Sequence, residues 1–354
     1  MFKKLTALMV ILLLLLSVGC GGDKSPSDGT SDASSVTSSV VSQTPSEPEV
    51  IKTPDMLNPL TGVYEYQGID KLRPVAVMIN NDRRAQDAQA GLPEADIIYE
   101  TEIEGGETRL MAVFKDVEKV QNIGTVRSSR YVYIDLAMGH GAVYIHHGAD
   151  EVNARPHLKH VDSFDIHEGL YGDRIKNGLA WEHTLYTHGP KLWAGIDKKF
   201  ETELETVTPW QQFAAEDEKV TLPDGTATKI SVPYSGNYFK SVFIYDSATG
   251  LYERNFKDKI PTEYYTKEST KVKNVVVCMT SIVDYPEGEH RKISLSGGDG
   301  YYFTNGTYQA IKWSKGDSND PMKFTDKDGN PITFSAGNTW VCIASKSYSK
   351  PVIE

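Results

Sequence analysis

Arg127-Ser128-Ser129-Arg130 sets two guanidinium groups and two hydroxyls within four residues, just ahead of an apolar stretch with helical spacing. If a helix starts there, its free N–H groups, the hydroxyls and the arginines make a corner that suits an anion. Thr108-Arg109 follows Gly105-Gly106. Glycine lets backbone approach a ligand closely, and arginine can hold a carboxylate or phosphate through two parallel hydrogen bonds. The competing reading is structural: those arginines pair with Glu100, Glu104 or Asp135 and lock the fold. The sequence leaves both open.

Eight of nine histidines fall between His140 and His188, and eight of ten arginines between Arg73 and Arg174. Any cationic or proton-handling site therefore belongs to the first half of the chain. His146 and His147 end an apolar run before Gly148, so their side chains point to opposite faces of a strand. His157 and His160, three residues apart, could share a metal with Asp162, Asp165 or His167. No established zinc spacing such as His-Glu-x-x-His is present, so surface or structural histidines are the preferred reading. Neither a metal nor another cofactor is expected. Glu182 stands beside His183, which makes His183 an acid–base candidate. A Gly-x-Ser-x-Gly elbow, a Walker loop and a Gly-x-Gly-x-x-Gly turn are all missing from the sequence.

The elements that must position these groups can be traced from apolar patterning. Arg73–Asn80, Ala95–Ile103 and Thr108–Lys115 read as strands, the last two joined as a hairpin by Glu104-Gly105-Gly106-Glu107. Ser128 and Ser129 are N-cap candidates for a helix that runs to Met138 and stops at Gly139. Ala142–His147 is another strand. Asp150–His160 has helical spacing broken by Pro156, and Thr187 can cap a helix that carries Pro190 in its first turn and runs to Phe200. From residue 209 onward short strands recur with turn signals between them, including Asp224-Gly225, Asn305-Gly306 and Asp328-Gly329. They are Lys229–Pro233, Ser241–Tyr245, Gly250–Arg254, Asn274–Thr280, Lys292–Ser296, Gly300–Phe303, Gly306–Lys312, Met322–Phe324 and Thr339–Ala344. The fold class is α+β: a mixed α/β N-terminal domain over 57–205, then a mostly antiparallel β C-terminal domain over 206–354. Cys278 and Cys342 sit in apolar strands and read as buried residues, with a disulfide as the alternative if their strands pair.

Ahead of these lie a leader and a tether. Lys3 and Lys4 precede an apolar run from Leu5 to Val18. At about 14 residues it is too short for a comfortable membrane span, which needs ~20. It suits a signal peptide over residues 1–19. Gly19 directly before Cys20 resembles a bacterial lipobox, although Ser17 stands where leucine is commoner, and the expectation is lipidation at Cys20. A diacylglyceryl group with a third acyl chain would anchor the chain at the outer face of the cell membrane. Residues 20–56 are rich in Ser, Thr, Asp, Pro and Gly and cannot bury enough to offset chain ordering, so they read as a tether. At roughly 5–6 Å × √n, ~35 residues give a reach of about 30–35 Å.

The whole chain has 354 residues, 39% hydrophobic and 24% charged, with three cysteines. Those values exclude a polytopic membrane protein, a disulfide miniprotein and a wholly disordered chain. The formal net charge is −11, and loss of a leader carrying Lys3 and Lys4 makes the body more acidic still. Such a surface argues against nucleic acid as a partner.

A series of segments resembles the two-domain bacterial lipoprotein family typified by YerB, whose halves are domain of unknown function 3048, N-terminal and C-terminal. In the first half the segments are RPVAVMIN (73–80), GLPEADIIYE (91–100), EGGETRLMAVF (104–114), GTVRSSRYVYID (124–135) and EHTLYT (182–187). The second half contributes 252–255, 274–277, 297–303 and DGNPITFSAGNTWVCI (328–343). The resemblance implies a lipid-anchored extracytoplasmic protein and supplies no reaction. It puts Glu100, Glu104, Arg109, Arg127, Ser128, Arg130, His146 and His183 at the family's characteristic polar positions. Two stretches depart from the family pattern: Glu182-His183-Thr184 replaces Pro-His-Asn, and His146-His147-Gly148-Ala149 replaces His-Ala-Gly-Gly. The favoured expectation is a non-catalytic envelope lipoprotein that binds an anionic wall component or a membrane-protein partner. The alternatives are a hydrolase or transferase acting on a wall polymer, with Glu100 or Glu104 as acid–base and His183 as partner, and, more distantly, a transporter's substrate-binding component.

Overall fold

A computed structural model describes residues 56–235, 239–348 and 350–354. The leader, Cys20 with its lipidation, and positions 20–55 of the expected tether lie outside the described residues. Met56, the last tether position, already pairs with Glu65 in a short antiparallel ladder.

Val75-Ala76-Val77-Met78-Ile79-Asn80 forms a strand buried at every position (β1, Val75–Asn80). Unbroken burial marks a strand covered on both faces. Ile97–Glu102 (β2) and Thr108–Phe114 (β3) form the expected hairpin, with Ile97 opposite Val113 and Glu102 opposite Thr108. Its tip needs Gly105 at φ +73, a left-handed conformation that glycine adopts without cost. β3 also pairs with β1, which sets Asn80 opposite Arg109. After helix α1 (Tyr131–Met138), Val143–His146 (β4) runs parallel to β1, and Ser163–Asp165 (β5) parallel to β4. Tyr171–Arg174 (β6) and Leu185–Thr187 (β7) belong to a smaller sheet, followed by α2 (Gly189–Ile196).

The second half supplies Lys229–Ser235 (β8), Phe239–Asp246 (β9), Leu251–Phe256 (β10), Asn274–Thr280 (β11), Gly298–Thr304 (β12), Thr307–Lys315 (β13), Met322–Thr325 (β14), Thr339–Ser345 (β15) and Val352–Ile353 (β16). One 11-stranded sheet runs in the order Gly225–Thr226, β13, β12, β11, β15, β2, β3, β1, β4, β5, with β14 on the flank of β13. β15 lies between β11 and β2 and is parallel to both. The halves expected on either side of residue 205 are thus joined by backbone pairing at the middle of one sheet. With 12% helix against 41% sheet among the described residues, and parallel and antiparallel ladders mixed, the fold is α+β with a β-rich C-terminal region.

Strand alternation divides the core. Val75, Val77, Ile79, Leu110, Val277, Trp340 and Cys342 face a second sheet of Lys271–Val272, β10, β9, β8 and β16, together with Leu192 and Ile196 of α2. Ala76, Met78, Tyr99, Met111, Val276, Cys278 and Val341 face α1, Trp210, Phe324 and Phe334. Val277 is the register partner of Cys342, so the two thiols point to opposite faces of neighbouring strands. Both are buried and free. The strands do pair, but a disulfide would need a one-residue slip that turns a whole strand inside out.

Both helices start later than their cap signals suggest. α1 has Arg130 as N-cap with no side-chain cap, because Ser129 is engaged elsewhere: its N–H donates to the Gly148 carbonyl at 3.0 Å and its Oγ accepts from Tyr144 Oη at 3.0 Å. Thr187 ends β7 and donates to the Tyr171 carbonyl at 2.6 Å, so His188 caps α2. Gly189 opens α2 against the loop at Val117, where an added Cβ would lie 1.9 Å from the Val117 carbonyl oxygen. Asp150–His160 contains only one short 3₁₀ segment, Arg155–His160, with Pro156 in its first turn. Among the described residues no helix is long and apolar enough to cross a membrane.

Candidate anion-binding site

Five segments converge where β1, β2 and β4 end and β3 begins: the Asn80–Arg84 turn, the 104–107 hairpin tip, Arg109, residues 125–130, and Trp181–His183. Arg109 opens β3 at the floor and is 4% exposed. Its Nη1 donates to the Ser128 carbonyl at 2.9 Å, and its Nε is buried without a partner. Arg127 stands at the rim, donating through Nη1 to the Glu182 carbonyl at 3.2 Å, and its Nε too has no partner. Among the described residues neither guanidinium makes an ion pair with a carboxylate. Burial pushes Arg109 down to about 9, and the charges of Arg130 and Arg127 act in the same direction. Burial also lowers Arg127, which Glu182 partly offsets. The Glu104 charge offsets part of this at Arg109; a largely buried cation without an ion-paired carboxylate is still costly, so these two groups favour an incoming anion.

Arg130 is a different case. Its Nε donates to Glu104 Oε2 at 3.0 Å and its Nη2 to the other oxygen. Burial opposes ionisation of Glu104, yet the bonds and charge of Arg130 hold that carboxyl at about 2. This pair fits the structural reading of the motif. Ser128 contributes its carbonyl to Arg109, whereas its hydroxyl faces Gly148.

His183, 1% exposed, accepts at Nδ1 from Asn80 Nδ2 at 2.7 Å. Its Nε2 then carries the proton, lies 3.8 Å from Glu182 Oε1, and makes no hydrogen bond. The buried Thr125 hydroxyl is likewise unpartnered. Beside them Arg84 clamps Asp82 through bonds of 2.9 and 2.6 Å. Burial works against that carboxylate, but Arg84 holds it at about 2. Burial raises the Glu107 carboxyl, with the Asp82 charge adding to the effect.

The structure therefore gathers Glu104, Arg109, Arg127, Ser128, Arg130 and His183, and it sets Glu100 and His146 apart. Glu100 pairs in register with Leu110 while Arg109 pairs with Thr101, so Glu100 and Arg109 occupy opposite faces of the sheet. Glu100 is fully buried between the sheets and accepts from Asn81 Nδ2 at 3.1 Å, Thr108 Oγ1 at 2.8 Å, Ser241 Oγ at 2.9 Å and Trp340 Nε1 at 3.0 Å. His146 turns toward β5, with Nδ1 2.9 Å from the Gly148 carbonyl and 4.0 Å from Asp165. Asn80, Asp82, Arg84 and Glu107 were missed by sequence reasoning. The polar run after a wholly apolar strand (Asn80-Asn81-Asp82-Arg83-Arg84) was the available signal.

Burial lowers the imidazoles of His146, His147 and His183. The unfolded chain, with histidine near 6.5, then binds more protons than the folded chain as pH falls below that value. Each group contributes stability that is full above 6.5 and is lost on acidification. The expected result is that His146→Asn flattens the fall in urea midpoint below pH 6.5 relative to the parent chain; parallel curves would contradict it.

Comparison with known proteins follows the same order of segments. A family model described as protein of unknown function (DUF3048), N-terminal domain, matches residues 60–204, and its C-terminal counterpart matches 230–341. The chain is 29% identical over 296 residues to a curated protein of Bacillus subtilis (strain 168) named "Putative lipoprotein YerB", covering 80% of this chain and 85% of that protein. It also resembles the crystal structure of YerB protein from Bacillus subtilis, with a TM-score of 0.72 and 26% identity, covering 82% of this chain and 97% of that chain.

Proposed function

The chain belongs to the DUF3048 family in both its N-terminal and C-terminal parts, and on that premise we propose that it is a lipid-anchored envelope lipoprotein that binds a phosphate- or carboxylate-bearing wall polymer at the Arg109–Arg127 site. The leader, Gly19-Cys20 and the lipoprotein name carried by a relative support the anchor at the outer face of the membrane. Cys20→Ala is expected to move the chain out of the membrane fraction; retention there would contradict the anchor.

The observation that carries the binding reading is the buried Arg109, which makes no ion pair with a carboxylate among the described residues, beside Arg127. Arg130 and Arg84 already have acidic partners, which leaves these two for a ligand. The site lies at the carboxyl ends of parallel strands β1 and β4, where ligands of open α/β sheets commonly sit. A membrane-protein partner presenting a carboxylate would use the same chemistry. To test the reading, the full chain in detergent is titrated with poly(glycerol phosphate) and with an uncharged glycan fragment. Binding to the phosphate polymer alone, weakening with added salt, is expected. Equal binding of both, insensitive to salt, overturns it.

A second reading has one specific observation in its favour. Glu107, with its carboxyl raised, lies in the field of Arg109 and Asp82 at the same rim, which is what a general acid for hydrolysis or transfer on a wall polymer needs. In that reading Glu107 replaces the buried Glu100 and the Arg130-locked Glu104 as the acid.

A further inference from the structure

At the outer edge of the main sheet β5 ends at Asp165, and the chain continues to His167. His147 follows directly after β4. Each of these residues offers a ligand atom, and the three atoms lie within 4.8 Å of one another. Among the described residues no other group of three His, Cys, Asp or Glu converges in this way. We propose that His147, Asp165 and His167 form a site for a divalent transition metal, with Arg174 as the group that the metal displaces.

The ligand side chains are already oriented. His147 Nδ1 donates to the Ile166 carbonyl at 2.7 Å, which leaves the Nε2 lone pair facing outward. Asp165 Oδ1 accepts from the Gly148 N–H at 2.8 Å and lies 3.5 Å from His167 Nε2. Such outer contacts fix imidazole and carboxylate ligands in working metal sites. Bonds of ~2.0–2.2 Å to a tetrahedral ion put ligand atoms about 3.3–3.6 Å apart, so small side-chain rotations close the present spacing. Two imidazoles with one carboxylate suit zinc, cobalt or nickel rather than calcium or magnesium, which prefer all-oxygen sets.

The His147 Nε2 lone pair accepts from Arg174 Nη2 at 3.0 Å. A metal replaces that one bond. Arg174 keeps its bonds to the Trp181 carbonyl at 2.6 Å and Thr184 Oγ1 at 3.2 Å, and its stacking over the exposed Trp181 ring at 3.8 Å. Arg155, with Nη1 3.5 Å from Asp165 Oδ2, tempers the carboxylate charge. The guanidinium thus sets the affinity, and its removal strengthens binding.

The probe is Co²⁺ added to the full chain, read by its visible ligand-field bands, with Zn²⁺ as competitor. The expected result is one ion per chain, bands of a histidine-ligated ion of low coordination number, and displacement by Zn²⁺. His167→Ala, at a half-exposed position that leaves the core intact, and His147→Ala each weaken binding by about ten-fold or more. Arg174→Ala tightens it. The double variant His157→Ala, His160→Ala keeps the parent affinity. The proposal is overturned if neither the parent nor Arg174→Ala takes up Co²⁺, if the two ligand variants bind as the parent does, or if removing His157 and His160 abolishes uptake.

Discussion

Glu100→Ala is expected to destabilise the chain by on the order of 3–5 kcal/mol, the largest single-residue effect among the polar groups described above. The carboxylate is fully buried and takes bonds from Asn81, Thr108, Ser241 and Trp340. Truncation takes the acceptor from three buried donors, Thr108 Oγ1, Ser241 Oγ and Trp340 Nε1, and leaves Asn81 Nδ2 with only its 2.7 Å bond to Thr108 Oγ1. It also removes the charge that faces Arg254, whose Nη1 donates to Gln86 Oε1 at 2.7 Å, whose Nη2 donates to Asn81 Oδ1 at 3.1 Å, and whose guanidinium sits 5.3 Å from the Trp340 ring. Glu100 and Thr108 come from the first half of the chain, Ser241, Arg254 and Trp340 from the second. The network therefore holds the two halves in register across the gap between the sheets. Glu100→Gln keeps the shape and one acceptor and is expected to cost less. Urea unfolding of both variants checks this, and a parent-like midpoint for Glu100→Ala would show that the network contributes little.

Arg109→Met is expected to separate stability from binding. If Arg109 were a structural strut, its removal would lower stability, as removal of the carboxylate-paired Arg130 should. Instead Arg109 is a buried cation pushed down to about 9 by burial and by two neighbouring arginines. Methionine fills much the same volume without that charge, so the unfolding midpoint should hold or rise. Affinity for poly(glycerol phosphate) should fall by roughly ten- to a hundred-fold, the value of a charged hydrogen bond of about 1.5–3 kcal/mol. A variant that loses stability and keeps affinity would reverse the assignment.

Much of the scaffold could be read from apolar runs. β1, the β2–β3 hairpin, β4 and most strands of the second half stand within a few residues of their expected places, because strands buried on both faces leave a near-continuous apolar run and half-buried ones such as Thr307–Lys315 and Met322–Thr325 alternate. The helix caps misled because Ser129 and Thr187 spend their polar atoms on tertiary partners, Tyr144 and Tyr171, which local spacing does not reveal. The parallel insertion of β15 between β2 and β11 has no local signal, since it joins Thr339–Ser345 to residues some 240 positions earlier. The site was legible in part. The clustering of arginine and histidine in the first half corresponds to the gathering of Arg109, Arg127, Arg130 and His183 at one end of the sheet. The face of the sheet on which each group lies depends on register, and that separates Glu100 from Arg109 although they stand on paired strands.

The most direct measurement follows the arginine Nε–H signals in a ¹H–¹⁵N spectrum as inorganic phosphate is added to the full chain, with Arg109→Met and Arg127→Met used to identify the two resonances. These two signals are expected to shift together and saturably, while that of the Glu104-bound Arg130 moves little. Unmoved signals from Arg109 and Arg127, with shifts confined to exposed arginines such as Arg155, would contradict it.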